Sequence, residues 1–431
     1  MKFYIRTFGC QMNQADSAYL AGRLIEAGHR KTEDPEEAQA IIFNTCSVRQ
    51  HAEERLFQNL EALRPLKKKS PELIIGLIGC VPVLHRETLF RSFPHLNFLA
   101  GPESLAMVPD LIARSKNGAQ IAIFDSQLNS YSCPQAQRNI SAFLPIITGC
   151  DNFCSYCVVP FTRGREKSRP VKEVLKEAEK MAGGGVKEII LLGQNVNSYQ
   201  DEKEGGGFPE LLSRIAGLSG ILRLGFMTSH PKDVSPELFR VLAEHPIIYR
   251  HLHLPLQSGS DSILKTMNRG YTATHYLQRI KEAREIIPGL TLTSDIIVGF
   301  PGETEDDFKK TLSVIAEVGF NDLFAFKYSD RPKTKAEELG GKIPEKTKEE
   351  RLERLWKLQD GISLNKNLET KGKIFEVLLL TESRKRPGSL LGKTENEKKI
   401  LLPESAKSVG SLTQVQVTSV DRRLLYGVAK E

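Results

Sequence analysis

The feature that most limits the folds open to this chain is an alternation of short apolar runs with helical periodicity, with cysteines placed where runs end. Lys2 to Phe8, Ala40 to Asn44 and Leu73 to Ile78 are strand-sized and rich in β-branched residues, and helical periodicity follows the first two, in Ser17 to Ala27 and Arg49 to Leu63. A repeated strand, cysteine, helix pattern predicts an α/β domain built on a parallel sheet. In such sheets binding residues gather beyond the carboxyl ends of the strands. Cys10, Cys46 and Cys80 each hold that place, so three thiols more than thirty residues apart in sequence are expected to converge on one edge. Gly9 and Gly79 directly precede two of them and permit a close backbone approach to a bulky cofactor. The competing reading is three small buried hydrophobes, because free cysteine is often simply buried.

The alternation resumes in longer units. Strands are expected at Phe143 to Thr148, Glu188 to Gly193, Ile221 to Met227, Tyr249 to Leu254, Leu290 to Val298 and Asp322 to Tyr328, with helices such as Val171 to Ala182, Thr272 to Ile286 and Thr304 to Val318 between them. Six β/α units fall short of the eight of a closed barrel, which predicts a partial (β/α)6 barrel open on one side and suited to a large substrate. Functional residues of a barrel sit at the carboxyl ends of its strands. That rule selects Cys150, Gln194 with Asn195, Ser229 with His230, Gln257 with Ser258, and Gly299 to Glu303.

Cys150, Cys154 and Cys157 form a compact triplet, Cys-x3-Cys-x2-Cys, in contrast to the scattered one. Three thiolates suit a cuboidal iron–sulfur cluster held by three of its four irons, with the last iron open to a ligand. Zinc sites usually combine two separated cysteine pairs or cysteine with histidine, and no histidine lies near Cys157. An odd total of seven cysteines without an export signal argues against a disulfide framework and for a reducing compartment. The seventh, Cys133, lies in a polar stretch and reads as an incidental thiol. An RNA-binding protein with structural metal sites remains the alternative from another class.

At 431 residues the chain has room for about three domains. They are expected at 1–117, an N-terminal α/β domain, at 136–366, the barrel, and at 367–431, with a Ser-, Asn- and Gln-rich connector at 118–135. In the last segment, Lys373 to Thr381, Lys398 to Leu402, Val415 to Val420 and Leu424 to Val428 predict a small all-β barrel. From Lys371 onward twelve basic residues face seven acidic ones, so this seventh of the chain carries +5 of the formal +7. That bias fits a partner rich in phosphate, contacted through its backbone because aromatics for base stacking are few. No apolar stretch is long enough to span a bilayer, and the start runs straight into a strand. A cytoplasmic protein, monomeric by default, is expected.

The compact triplet is similar to that of the radical S-adenosylmethionine enzymes. Further stretches resemble the methylthiotransferases over nearly the whole chain: Gly9-Cys10-Gln11-Met12-Asn13, Asn44-Thr45-Cys46-Ser47-Val48-Arg49, Gly149 to Arg165, Leu192-Gly193-Gln194-Asn195-Val196-Asn197, His253 to Ser260, and Gly299-Phe300-Pro301-Gly302-Glu303. The C-terminal module is similar to a TRAM domain. Ser47-Val48-Arg49 resembles the type acting on N6-isopentenyladenosine at position 37, in the anticodon stem-loop of tRNA. Relatives acting on threonylcarbamoyl-adenosine or on a ribosomal protein aspartate are the near alternatives.

The resemblance implies two 4Fe-4S clusters, one on Cys150, Cys154 and Cys157 and one on Cys10, Cys46 and Cys80, with S-adenosyl-L-methionine chelated at the first. It also implies an electron donor such as a flavodoxin or ferredoxin. One cofactor molecule would methylate sulfur at the second cluster, and another would be cleaved to a 5′-deoxyadenosyl radical. Tyr156 matches the aromatic that packs on the cofactor's adenine. Gln194, Asn195, Gln257, Ser258 and Asp295, polar at strand ends, are candidates for ribose, carboxylate or substrate, though each also suits a cap or turn. Arg163 and Arg165, beyond the compact triplet, and Lys385 and Arg386 in the basic tail are candidates for RNA phosphate, though Arg163 and Arg165 suit surface ion pairs equally. The chain departs from the family's pattern at Val81-Pro82-Val83-Leu84, at Phe98 to Glu103 and at Lys333, where glycine is typical.

Overall fold

The computed structural model describes residues 1–47, 50–116, 118–124, 139–403 and 407–430. Val48 and Arg49 of the second cysteine motif, most of the expected connector, and Cys133 lie outside the described residues.

The N-terminal sheet is parallel throughout. Its strands are β1 (Lys2–Phe8), β2 (Arg30–Lys31), β3 (Ala40–Thr45), β4 (Ile74–Gly79), β5 (Phe98–Ala100) and β6 (Ile121–Ile123), in the order β2-β1-β3-β4-β5-β6. Strand periodicity divides the core between two faces. Ala40 and Ile42 join Leu20, Leu24 and Leu111 on one side, while Ile41 and Phe43 join Leu56, Leu60 and Leu89 on the other. Chain direction across the sheet reverses between β1 and β3, and the crevice beyond the strand ends at such a reversal is where open α/β sheets bind ligands.

Three strands of this sheet escaped the sequence reading, the first being Arg30–Lys31, only two residues long. Phe98–Ala100 and Ile121–Ile123 are three residues each, too short to show a period, and the latter lies in what reads as connector. The first helix, Gln11–Glu26, also starts six residues earlier than its apolar pattern, directly after Cys10. Its opening residues Met12 and Ala15 pack against the central barrel rather than the helix's own sheet.

The central strands are β7 (Ser141–Pro145), β8 (Ile147–Thr148), β9 (Lys167–Ser168), β10 (Glu188–Leu192), β11 (Arg223–Phe226), β12 (His251–His253), β13 (Thr291–Val298) and β14 (Asp322–Lys327). β8 and β9 form a small antiparallel ribbon. The others make two three-stranded parallel sheets, β7-β10-β11 and β12-β13-β14, joined by a parallel bridge between Leu224 and Ile248. The result is the expected six-stranded partial barrel, with β7 and β14 at its edges. Leu292, Ile296 and Val298 of β13 pack outward in the main core, which leaves Thr293, Asp295 and Ile297 on the interior face.

Five C-terminal strands, β15 (Ile374–Glu382), β16 (Leu390–Thr394), β17 (Lys399–Leu402), β18 (Leu412–Val420) and β19 (Leu425–Ala429), close a barrel. β16 was missed in sequence because Gly392 interrupts its apolar pattern. That glycine is required by packing: a Cβ there would run into Val377 Cγ1 and lie 2.7 Å from Leu378 O. Among the described residues, no helix is long and apolar enough to cross a membrane.

Gly76 of β4 tests the N-terminal core in the same way, since a Cβ there would enter the ring of fully buried Phe98. Gly76→Ala is expected to destabilise the protein by about 1–3 kcal/mol through overpacking. Urea unfolding followed by circular dichroism would show this, and an unchanged midpoint would contradict the packing.

Candidate active site

The three scattered cysteines converge as the topology requires. Cys10 caps the first helix, Cys46 follows β3, and Cys80 opens a short helix, Cys80–His85, immediately after β4. A polar lattice holds the loops together. Asn13 Nδ2 donates to Asn44 Oδ1 (2.9 Å) and Thr45 O (3.1 Å), Asn44 Nδ2 donates to Asn13 O (2.8 Å), and the Cys10 thiol donates to Asn13 Oδ1 (3.2 Å). The glycines before the cysteines serve this convergence rather than an approach to the cofactor. At Gly9 (φ 138°) a Cβ would collide with Cys46 Cβ, and at Gly79 (φ 98°) with Thr45 O.

The compact triplet lies on a loop pinned at both ends. Cys150 N donates to Gly164 O (3.3 Å) and Ser155 N to Met267 O (3.0 Å), while Arg165 grips Asp151 through two hydrogen bonds of 2.6 and 3.1 Å. Gly149 (φ 76°) has no room for a side chain against Arg165 O. Arg269, buried and 115 residues from the motif, places Nη1 3.4 Å from Cys154 Sγ and donates to Pro255 O at 3.0 Å. Nothing in the sequence pointed to this residue, because its link to the motif is purely tertiary.

The two triplets are neighbours. Thr162, just beyond the compact triplet, hydrogen-bonds Cys80, and Arg163 forms a buried ion pair with Asp16 (2.6 Å) while its charge acts on Cys10 and Cys80. Arg331, half a chain away, acts on Cys46 and pairs with Glu53 at 3.5 Å. These surroundings separate the thiols in acidity. A hydrogen bond from Cys46 lowers Cys10 to about 6, against its burial and with help from Arg163 and Asn13. Burial raises Cys80 and Cys150, and pushes Cys157 up to about 12 with the nearby Cys154 adding to the effect.

The donor sets fit cuboidal clusters. Each supplies three cysteines, and none of the six is joined in a disulfide. Each triplet also has a buried arginine to balance thiolate charge.

Polar atoms without partners mark a second part of the site. Gln194 Oε1, Asn195 Oδ1, both side-chain atoms of Asn197, Ser229 Oγ and His230 Nε2 are buried without a hydrogen bond, all just past the ends of β10 and β11. Buried polar groups are normally satisfied, so this cluster is built for a polar ligand. Burial, with Arg269 and Lys232 nearby, lowers His230 to about 2 and keeps it neutral. Its Nδ1 accepts from Lys232 N at 3.3 Å, which leaves the proton on the unpartnered Nε2.

Other expected site residues divide. Tyr156 is partly buried, edge-on to Phe300 at 6.4 Å, beside the compact triplet. Gln257 is buried at a φ of 67°, its backbone bridging to β13. Asp295 faces the barrel interior, 3.4 Å from His253 Nε2. Ser258 is corrected to a structural role: it is fully buried, its hydroxyl shared with Thr311 (3.3 Å) and accepting from Ser260 N (3.2 Å). Arg163 is likewise corrected, because its side chain is 4% exposed and paired inside the protein, out of reach of RNA phosphate. Arg165 is exposed but engaged with Asp151 and with the Phe153 ring. Lys385 and Arg386 are exposed on the loop between β15 and β16, Arg386 over the Tyr426 ring. Lys333 adopts a φ of 70°, the conformation that explains why glycine suits its place.

Comparison with known proteins adds to this geometry. Residues 144–315 match the radical SAM superfamily, 2–101 the uncharacterized protein family UPF0004, and 368–430 the TRAM domain. The tRNA-2-methylthio-N(6)-dimethylallyladenosine synthase of Chlorobium luteolum is 43% identical over 430 residues, covering 99% of this chain and 96% of its own. That of Caldicellulosiruptor saccharolyticus is 44% identical, covering 99% and 92%. Among solved structures, the radical S-adenosylmethionine methyltransferase TsrM from Kitasatospora setae superimposes with a TM-score of 0.57 at 12% identity, over 78% of this chain and 77% of that one. The cobalamin-dependent radical enzyme OxsB gives 0.55 at 13%, over 83% and 56%. At such identities the likeness is one of fold.

The thiol environments predict an order of reactivity. In iron-free protein, alkylation read by mass spectrometry should label Cys10 first at pH 7, with a half-maximal rate near pH 6, because its thiolate is the favoured form above that pH. Cys157 should stay inert at that pH, and labelling of Cys157 ahead of Cys10 would contradict the assigned environments.

Proposed function

Because the chain belongs to the family of tRNA-2-methylthio-N6-dimethylallyladenosine synthases of the radical SAM superfamily, we propose that it replaces the C2 hydrogen of N6-isopentenyladenosine at tRNA position 37 with a methylthio group. The observation that carries this reading is the abutment of two three-thiol sites across Thr162 and Arg163. A C2–H bond of adenine is not acidic enough for a side-chain base, so the reaction calls for radical chemistry supplied by a cofactor.

When bound, S-adenosyl-L-methionine and two 4Fe-4S clusters supply radical generation at Cys150, Cys154 and Cys157 and sulfur donation at Cys10, Cys46 and Cys80. The protein's own groups hold and orient. Gln194, Asn195, Asn197, Ser229 and His230 offer the unpaired donors and acceptors that a nucleoside with an amino-acid tail requires, and Tyr156 offers an aromatic surface beside the first cluster's thiols. Arg269 holds Cys154, and Arg163 sets the spacing of the two sites. The open side of the barrel admits the base, with Phe324 and Phe326 exposed on the edge strand β14. Lys385 and Arg386, exposed on the loop between β15 and β16, meet the backbone of the anticodon stem-loop. A reduced flavodoxin or ferredoxin delivers the electron, and the protein works as a cytoplasmic monomer. Relatives named for the dimethylallyl base favour this substrate over threonylcarbamoyl-adenosine or a ribosomal aspartate.

Mass spectrometry of tRNA nucleosides from cells with and without the gene should show the methylthio mark on isopentenyladenosine lost in its absence; an unchanged profile would overturn the reading. In the reconstituted enzyme, Cys154→Ala should abolish cofactor cleavage, whereas Cys46→Ala should retain cleavage and lose thiolation. Thiolation by the Cys46 variant would remove that site's role as sulfur donor.

A further inference from the structure

The C-terminal barrel docks under the central one through the turn between β16 and β17, and the contact is ionic and buried. Glu397 accepts from Lys393 Nζ (2.9 Å) and from His251 Nδ1 (2.6 Å), while Lys393 also reaches Glu188 (3.0 Å), which accepts from the Tyr249 hydroxyl (2.6 Å). Backbone contacts flank this network: Arg250 N donates to Glu395 O (3.0 Å) and Thr291 Oγ1 to Asn396 O (2.7 Å). His251, Thr291, Glu188 and Arg223 stand at the starts of their strands, so the turn forms the floor of the catalytic barrel.

The network continues up the interior wall. Thr293 Oγ1 lies 2.9 Å from His251 Nε2 and 2.9 Å from His253 Nδ1, and His253 Nε2 lies 3.4 Å from Asp295 Oδ2. Register places His253 opposite Thr293 and Asp295 opposite Phe324, so the chain climbs one interior position at a time toward the open edge. Proton counting fixes its polarity. At the floor Glu397 accepts from His251, Thr293 has one proton and so donates to one imidazole and accepts from the other, and at the lumen end His253 Nε2 stands in ion-pair contact with Asp295. Although burial works against it, Lys393 and His251 hold Glu397 well below the usual carboxylate range. The floor end of the chain is therefore a fixed acceptor.

We infer that Glu397 is a positioning residue for substrate: through His251, Thr293 and His253 it holds the Asp295 carboxylate in the lumen as the acceptor for the N6–H of the adenine base. This rests on the nucleoside reading above and adds a task for the C-terminal module, which supplies one end of the network that orders the base site. Asp295 is partly exposed beside Phe324, whose ring offers a face to the same base.

Thr293 is the link to test, because Thr293→Val keeps shape and removes the only proton that joins the two rings. Holoenzyme variants would be assayed on an anticodon hairpin carrying N6-isopentenyladenosine and on one alkylated twice at N6, which has no N–H. Thr293→Val and Glu397→Gln should raise KM for the first hairpin about tenfold, in the range of one hydrogen bond to a charged group. Iron content should be unchanged, and Thr293→Ser should restore KM. On the doubly alkylated hairpin, wild type should already show the loss and the variants no further one. A Val variant indistinguishable from wild type on the first hairpin, or one that loses equally on both, overturns the relay. Wild type that thiolates neither hairpin overturns the functional reading itself, and the relay with it.

Discussion

The buried pair of Arg163 with Asp16 is the contact on which the site's geometry depends. Asp16 belongs to the helix that Cys10 caps, and Arg163 belongs to the turn that follows Cys157. Two charges withdrawn from water at 2.6 Å are tolerable only together, because removal of either leaves the other uncompensated at a cost of about 3–5 kcal/mol. The pair thus fixes the N-terminal sheet against the barrel at the point where the thiols lie. Its electrostatic effect runs the same way, since the guanidinium favours thiolate at Cys10 and eases the burial of Cys80.

Around that contact, apolar packing does the coarser positioning. Met12 and Ala15 sit against Ile190, Leu192 and Tyr249 on the inner wall of the barrel. The first helix therefore has two employers: Leu20 and Leu24 serve its own sheet, while its opening turn closes part of the barrel. This divided allegiance explains why the sequence predicted its start late. Residues 11–16 lack the period of a helix with one buried face, because they face a different neighbour.

What was legible in sequence follows a similar division. The six cysteines, the six β/α units of the central segment and the all-β tail carry local signals: spacing, apolar runs and turn residues. Strand-end logic placed Cys10, Cys46 and Cys80 together, and the Asn13 to Asn44 lattice shows how closely. Roles set by tertiary contact were illegible. Arg163 read as a candidate for RNA phosphate and is paired inside the protein; Ser258, a candidate ligand that suited a turn as well, is buried in one; Arg269, next to Cys154, gave no sign. A charged or hydroxylic side chain has the same sequence signature whether its partner is water, a cofactor or a buried counter-ion.

The basic tail makes the same point at the scale of a domain, and its resolution bears on the substrate. Lys393 is committed to Glu188 and Glu397, and burial with the nearby Lys366 lowers Lys398 to about 8. Part of the tail's charge therefore holds the module to the barrel floor, while Lys385 and Arg386 stay exposed. The eight residues of β13 span about 26 Å from that floor to the rim where the cysteines lie. A free nucleoside could reach the rim without touching the module at all. For RNA to touch a barrel docked at the far end of the strands while one base enters at the rim, the substrate must be long enough to engage both, and a stem-loop has that length.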